Sequence, residues 1–461
     1  MHDLATNGSA EIGTRTRAKT RTIAVDDLHG SVADPVLESM TFLNEVTTRY
    51  PEAVSFAPGR PYEGMFDVAS VTEYFEAYLA HLRAAGRTED EIRTLIFQYG
   101  RTKGQIHGLI AEALAHDEGI RVDPESVVVT VGAQEGMVLA LRALFAGPDD
   151  VLLASSPCYV GLSGAARLLD VPVVPVPEGG QGLDPEAVRA AARRVAASGR
   201  RVRACYVVPD FANPSGASMP TAARRRLLDV AAAEDFLILE DNPYGFFGGE
   251  QEPRPTLKAL DPDGSVVYLG SCCKTCFPGA RLGYVVADQR VRRRDGSHGL
   301  LADELAKIKS MITVNTPSLS QAVIGGALLR CDCRLRAANT ATAAFYRANL
   351  AAVQSELARH FPPAARAELG LSWNRPDGGF FTVLTVPFTA DEAALERSAR
   401  EFGVLWTPMA AFFPPGAGHD RLRLSSSYLT PDQLREGITR LAAFLRAEAA
   451  HHPSPPKGRT T

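Results

Sequence analysis

The sequence has little cysteine, only two tryptophans, no surplus of charge of either sign, no internal repeat and no long apolar run. Seven cysteines in 461 residues argue against a disulfide scaffold, which serves chains too small to build a core. Cys272, Cys273, Cys276, Cys331 and Cys333 invite a metal reading, but their spacing does not form a pair of zinc half-sites. Buried free thiols are expected there, and no metal. A net charge of −4 gives no electrostatic case for nucleic acid as a partner. No stretch is apolar for long enough to span a bilayer, and Met1-His2-Asp3-Leu4-Ala5 has no signal-peptide core. The expected location is cytoplasmic, away from membranes.

The chain does have length and a pattern. It can bury a large core and would ordinarily divide into two or more domains. From Val127 to Val286, short β-branched runs alternate with helical stretches. That predicts an α/β fold with a mainly parallel central sheet flanked by helices. The helical stretch Ala302–Lys309 leads away from this core, and from Ala341 to Ala450 helices flank Gly379–Val386, as in a smaller α+β domain. The expected bounds are 61–335 for the large domain and 336–450 for the small one. Residues 1–30, polar with basic Arg15, Arg17, Lys19 and Arg21, read as a disordered arm, and 451–461 as a flexible tail.

The most informative stretch is Gly270–Tyr284. Ser265–Leu269 reads as a buried strand, so Lys274 leaves a strand end, where open α/β sheets place ligands. A lysine amine there can form a Schiff base with a carbonyl. Ser271 and Arg281 on either side suit a phosphate, one with a hydroxyl and one with a forked cation. An aldehyde and a phosphate on one small molecule point to pyridoxal phosphate. A surface lysine after a strand is the plain alternative, and the residues upstream weigh against it. Strand Val127–Val131 runs into Gly132-Ala133-Gln134 and a helix, whose free N–H groups make a phosphate seat. Tyr159 can stack on a flat ring. Asn213 and Tyr244 can bond a ring oxygen. Asp241, after a buried strand, can keep a pyridine nitrogen protonated so that the ring becomes an electron sink. Each alone is an ordinary turn, packed ring or cap; the ordered set is what carries chemistry.

With Ser55–Pro61, Gln98-Tyr99-Gly100, Pro157–Gly161, Asn213–Gly216, Asp241–Tyr244, Gly378-Gly379-Phe380 and Arg423-Leu424-Ser425 added, the chain resembles the fold type I pyridoxal-phosphate enzymes, within the class I/II aminotransferases, from about Ser55 to Tyr428. The resemblance implies that Lys274 carries the cofactor and moves the proton. Asp241 would pair with the ring nitrogen, Tyr159 stack on the ring, and Asn213 and Tyr244 meet its oxygen. The Ala133 and Gln134 backbone, Ser271 and Arg281 would bind phosphate, with Tyr99 reaching it from the second subunit of a homodimer. Arg423 would grip the substrate α-carboxylate, while Gly59 and Arg60 would border the substrate. It also implies that residues 31–60 pack with the small domain. Which of Arg421 and Arg423 faces inward depends on strand register.

Several residues depart from the family. Glu135 stands where a second glutamine is common and is expected to point away along its helix. Cys273 replaces a hydroxyl residue before the lysine. Arg60 is either a second substrate contact or a solvent-facing turn residue, and Trp406, with Phe56, is a candidate for an aromatic substrate wall. The expected function is transfer of an amino group between an amino acid and a 2-oxo acid. Phe42–Val46, Phe56–Pro61 and Ser156–Gly161 are most similar to the hydroxyphenylglycine-forming aminotransferases of peptide-antibiotic pathways, including the 3,5-dihydroxyphenylglycine type. The alternatives are another reaction on the same cofactor (oxidation, lysis or an aliphatic or 2-aminoadipate-type transamination) and a cofactor-sensing regulator. The region before Asp34 is too short and polar for the regulator's DNA-binding domain.

Overall fold

In the computed structural model, which describes residues 21–249 and 253–451, the apolar runs between Val127 and Val286 line up as one eight-stranded sheet. Its strands are β1 (Val127–Thr130), β2 (Asp150–Ser156), β3 (Val173–Gly179), β4 (Gly182–Leu183), β5 (Arg201–Val207), β6 (Leu237–Asp241), β7 (Val266–Ser271) and β8 (Gly283–Val286). The spatial order is β1-β8-β7-β6-β5-β2-β3-β4. The five strands from β7 to β3 are mutually parallel; β8 runs antiparallel between β1 and β7, and β4 folds back on β3. Strands such as β1 are buried along their whole length because helices cover both faces, which is why they read as unbroken apolar runs.

The second layer system is a four-stranded sheet of β9 (Ser372–Trp373), β10 (Phe381–Thr385), β11 (Thr407–Pro408) and β12 (Arg421–Ser425), in the order β9-β10-β12-β11. Helices Thr340–His360, Glu392–Phe402 and Pro431–His451 belong to the same part of the chain. Val46 and Phe56 sit in one hydrophobic cluster with residues between Val353 and Leu445, and Val54–Ser55 pairs in parallel with Val404–Leu405. The chain before the large sheet is therefore stitched to this second part. Residues 1–20 of the expected arm and 452–461 of the expected tail lie outside the described residues; Val25–Asp27 forms a 3-10 turn, and His451 closes the last helix. No helix among the described residues is long and apolar enough to cross a membrane. All seven cysteines are free, five of them buried.

The expectation of an aromatic wall from Phe56 and Trp406 is corrected here. Both are fully buried in the cluster between strand 54–55 and helix Pro431–His451, where Trp406 packs against Phe444 and donates to Ser398 Oγ at 3.1 Å. In extended chain, adjacent side chains point to opposite sides. Ala57 lines the inter-sheet cavity and Thr407 turns its hydroxyl to Ala57 O and Arg423, so Trp406 and Phe56 face the core. Trp406→Ala is accordingly expected to lower unfolding free energy by about 3–5 kcal/mol in urea titrations. The relative kcat/KM for different substrates should stay unchanged, and a changed preference would return Trp406 to the wall.

Candidate active site

The C-terminal ends of β1, β5, β6 and β7 converge on a cavity of about 570 Å3, closed on the far side by β12 and the 57–60 turn. Its lining contains Gly59, Arg60, Ala133, Gln134, Tyr159, Asn213, Asp241, Tyr244, Ser271, Lys274, Arg281 and Arg423. Residues spread over more than 360 positions thus meet at one place. Tyr99 is the exception: it does not line the cavity of its own chain and is 84% exposed.

At one end, β1 gives way to helix Gly132–Leu144. Gly132 has φ +71°, a left-handed conformation that glycine adopts without strain, and a Cβ there would stand 2.7 Å from Arg281 Nη2. The first turn of the helix and the Arg281 guanidinium therefore lie against each other. Gln134 Nε2 donates to Gly161 O at 2.6 Å, so its side chain is engaged in holding the next loop while its backbone N–H stays at the helix start. Ser271 Oγ accepts from Cys273 N–H at 3.2 Å and caps the short helix Cys272–Thr275. Arg281 Nη1 donates to Cys273 Sγ at 3.3 Å. Free helix-start amides, a hydroxyl and a guanidinium form a donor set for an anion with several oxygens.

Lys274 sits on that short helix. Its Nζ donates to Gly59 O at 2.6 Å and stands 5.9 Å from the Phe380 ring centroid. A Cβ on Gly59 would come within 2.7 Å of Phe381, so only glycine fits the turn that meets the lysine. Burial lowers the Lys274 pKa to about 8, with Arg281 and Arg423 adding to the effect and Cys273 opposing it. The neutral amine is therefore reached far closer to neutral pH than for an ordinary lysine.

Asp241, the last residue of β6, is buried. Tyr206 Oη on β5 donates to its Oδ2 at 2.6 Å, whereas its Oδ1 is buried without a hydrogen-bond partner among the described residues. Burial raises the Asp241 pKa to about 6 even though Tyr206 opposes it. A lone buried carboxylate oxygen is costly and calls for a donor, above all a cationic one. A ring N–H⁺ meets that need, and a phosphate meets the need of the other end. The residues present therefore fit pyridoxal phosphate.

On the facing side Arg423 lies in mid-strand, with Val383 and Thr407 as register partners, and is buried. It is Arg423 and not the half-exposed Arg421 that enters the cavity. Arg423 Nη1 donates to Asn213 Oδ1 at 2.5 Å, and Nη2 donates to Ala57 O at 2.8 Å and Thr407 Oγ1 at 3.1 Å; its Nε–H is buried without a partner among the described residues. Its guanidinium lies 4.5 Å from the Phe381 centroid and 5.3 Å from that of Phe412. Asn213 also engages the Tyr244 hydroxyl, and Tyr244 packs edge-on against Phe380 and Phe381. Arg60 combines both expected behaviours. It lines the cavity, yet its side chain is half exposed, 3.3 Å from Glu63 Oε1 and 4.9 Å from the Tyr428 centroid.

Four contributors escaped the sequence reading. Tyr206 is hidden in an apolar strand, and only its pairing beside β6 reveals it. Thr47 and Thr48 sit on helix Pro35–Arg49, far from any motif, and Phe412 follows a run of small and apolar residues without a pattern.

The fold agrees with known proteins. Residues 79–441 match the model of aminotransferase class I and II. The chain is 52% identical over 426 residues, 92% of its length and 95% of the relative's, to an (S)-3,5-dihydroxyphenylglycine transaminase from Amycolatopsis orientalis. A Pyrococcus horikoshii kynurenine aminotransferase solved with PMP superposes with a TM-score of 0.73 at 27% identity, covering 90% of this chain and 95% of that one. An α-aminoadipate aminotransferase from Thermus thermophilus, solved with N-(5'-phosphopyridoxyl)-L-leucine, gives 0.72 at 28% identity over 90% and 98%. With a family match over most of its length, an α/β fold shared with these enzymes and a cavity suited to their cofactor, the chain belongs to the class I and II aminotransferases, pyridoxal-phosphate enzymes of fold type I.

Proposed function

We propose that the protein is a transaminase that interconverts arylglyoxylates and arylglycines, hydroxylated ones in particular, as in peptide-antibiotic biosynthesis. One observation carries this reading: half of all positions are identical, over nearly the whole of both chains, to a dihydroxyphenylglycine transaminase. The cavity supports it with aromatic surface from Tyr159, Tyr244 and Phe412 beside the polar Thr47, Thr48 and Arg60. A flat ring packs on the former, and ring hydroxyls bond the latter.

Bound pyridoxal phosphate supplies the electron sink that lets a proton leave the substrate α-carbon. The chain's own residues do the rest. Ala133 and Gln134 amides, Ser271 and Arg281 hold the phosphate. Asp241 Oδ1 keeps the ring nitrogen protonated, and Tyr206 keeps Asp241 in place. Asn213 and Tyr244 fix the ring oxygen, and Tyr159 covers the ring face. Lys274 Nζ anchors the cofactor and then carries the α-proton. Arg423 binds the α-carboxylate, exchanging its bond to Asn213 for one to the substrate, and Gly59 and Arg60 border the side chain.

A homodimer completes the site with Tyr99 of a second copy. The support is the exposure of Tyr99 together with Phe97, Met311, Ile312, Val314 and Leu319, of which the loop after Tyr99 abuts Asn315. An apolar surface of this kind suits a partner. Residues 61–335 form the cofactor domain and 336–450, with 31–60, the small domain, which the shared core of Val46 and Phe56 with the later helices supports. Seven unpaired thiols suit the reducing cytoplasm.

Two sets of measurements check these roles. Lys274→Ala should abolish turnover, and borohydride reduction of the loaded enzyme should fix the cofactor to a peptide containing Lys274; fixation at Lys258 would contradict the assignment. Burial lowers the Lys274 pKa to about 8, so its amine is charged below that pH and neutral above it. In cofactor-free protein, labelling of Lys274 by trinitrobenzenesulfonate should be half-maximal near pH 8 and not above 10.

For the substrate, kcat/KM should be higher for hydroxyphenylglyoxylates than for pyruvate, and pyridoxamine phosphate should accumulate with amino donor alone. Arg423→Ala should lower kcat/KM for every amino acid by roughly 10- to 100-fold, since all carry the carboxylate. Arg60→Ala should hurt only ring-hydroxylated substrates. A preference for branched aliphatic oxo acids would sink the arylglycine reading alone.

A further inference from the structure

Glu135 lies one helical turn inside the phosphate seat and does not point away into solvent. Its carboxylate turns back, so that Oε2 accepts the Val131 N–H at 2.6 Å, immediately before Gly132. A carboxylate thus sits in the first turn of the helix whose start is the proposed phosphate seat. An uncompensated anion there would repel a phosphate. Helix Leu301–Ile312 supplies the compensation. Lys309 Nζ donates to the same Oε2 at 2.8 Å, with its side chain 0% exposed and that of Glu135 7% exposed. Thr313, the next residue after the helix, donates from Oγ1 to Glu135 Oε1 at 2.6 Å and accepts from Lys309 Nζ at 2.8 Å. The three side chains close a ring of hydrogen bonds around one buried ion pair.

None of the three lines the cavity. Their shared contact with the site is the Val131 N–H, which fixes where the first turn of helix Gly132–Leu144 begins. We propose that Glu135, Lys309 and Thr313 are positioning residues for the phosphate seat, with Lys309 cancelling a carboxylate that would otherwise repel the phosphate. A glutamate in place of a neutral amide is tolerable here because a buried lysine from a distant helix accompanies it. This inference rests on the assignment of the phosphate to Ala133, Gln134, Ser271 and Arg281.

The test is the dissociation constant of cofactor-free protein for pyridoxal phosphate and for inorganic phosphate, measured by calorimetry. Lys309→Met leaves the carboxylate uncompensated and should raise both constants roughly tenfold or more. Glu135→Gln leaves a buried cation and should leave both constants unchanged or lower. A purely structural role would make both variants weaker, so the opposite signs are diagnostic. The double variant Glu135→Gln with Lys309→Met should return to within about threefold of the wild type, because its neutral pair removes the coupling. Should Lys309→Met not fold, Thr313→Val, which removes one bond of the ring, should raise both constants by about threefold.

Unchanged constants in Lys309→Met, or in Thr313→Val where that variant stands in, would overturn the proposal. A double variant no better than the single would do the same. Arg281→Ala separates the two layers: if it fails to weaken phosphate, the seat itself is misassigned. If it weakens phosphate and Lys309→Met does not, only the positioning role is lost.

Discussion

The Asp241 carboxylate is buried at the end of a central strand with one oxygen satisfied by Tyr206 and the other left open. Taking a carboxylate out of water is costly unless donors replace the lost solvent. The cost shows in its pKa, which burial lifts to about 6. A folded chain keeps such a group when a ligand supplies the missing donor, and a protonated ring nitrogen does so while gaining a permanent counter-charge. In the proposed role the same contact would serve both partners: the carboxylate would become stable as an anion, and the ring would stay protonated.

The rest of the cavity is organised around that axis by charge. Asp241 is the acid at one side, while Lys274, Arg281, Arg423 and the half-exposed Arg60 bring basic groups to the others. Burial first, and then the Arg281 and Arg423 charges, disfavour the charged form of Lys274 and lower its pKa. In the proposed roles the phosphate and the substrate carboxylate, both anions, would relieve this crowding at Arg281 and Arg423, leaving the Lys274 amine to handle a proton. The large sheet supplies Asp241 and Lys274, the small sheet supplies Arg423, and the 57–60 turn touches both Lys274 and Arg423 through backbone carbonyls.

Much of this was legible in the sequence because several candidate site residues sit within a few positions of a strand end. A buried strand is recognisable as a short β-branched run, and ligands gather where such strands stop. Lys274, Asp241 and the Gly132–Gln134 turn follow that rule. Tyr206 does not, since it lies inside a strand and matters only because β5 pairs with β6. Lys309 is 174 positions from Glu135, and nothing local marks it as a partner. Phe56 and Trp406 were misplaced for a simpler reason: proximity to a motif says nothing about which side of an extended chain a residue faces. Ala57 and Thr407, one step away, are the residues that turn toward the cavity and toward Arg423 respectively.

The most direct test of the account is the donor half-reaction of Asp241→Asn. The variant should fold and still take up pyridoxal phosphate through its phosphate and Lys274. A neutral amide cannot hold the ring nitrogen proton, so conversion of bound cofactor to pyridoxamine phosphate by amino donor alone, followed by stopped-flow absorbance, should slow by roughly a hundredfold or more. Conversion at a near-normal rate with cofactor fully bound would contradict the claim that the buried Asp241 carboxylate is what the site is built around.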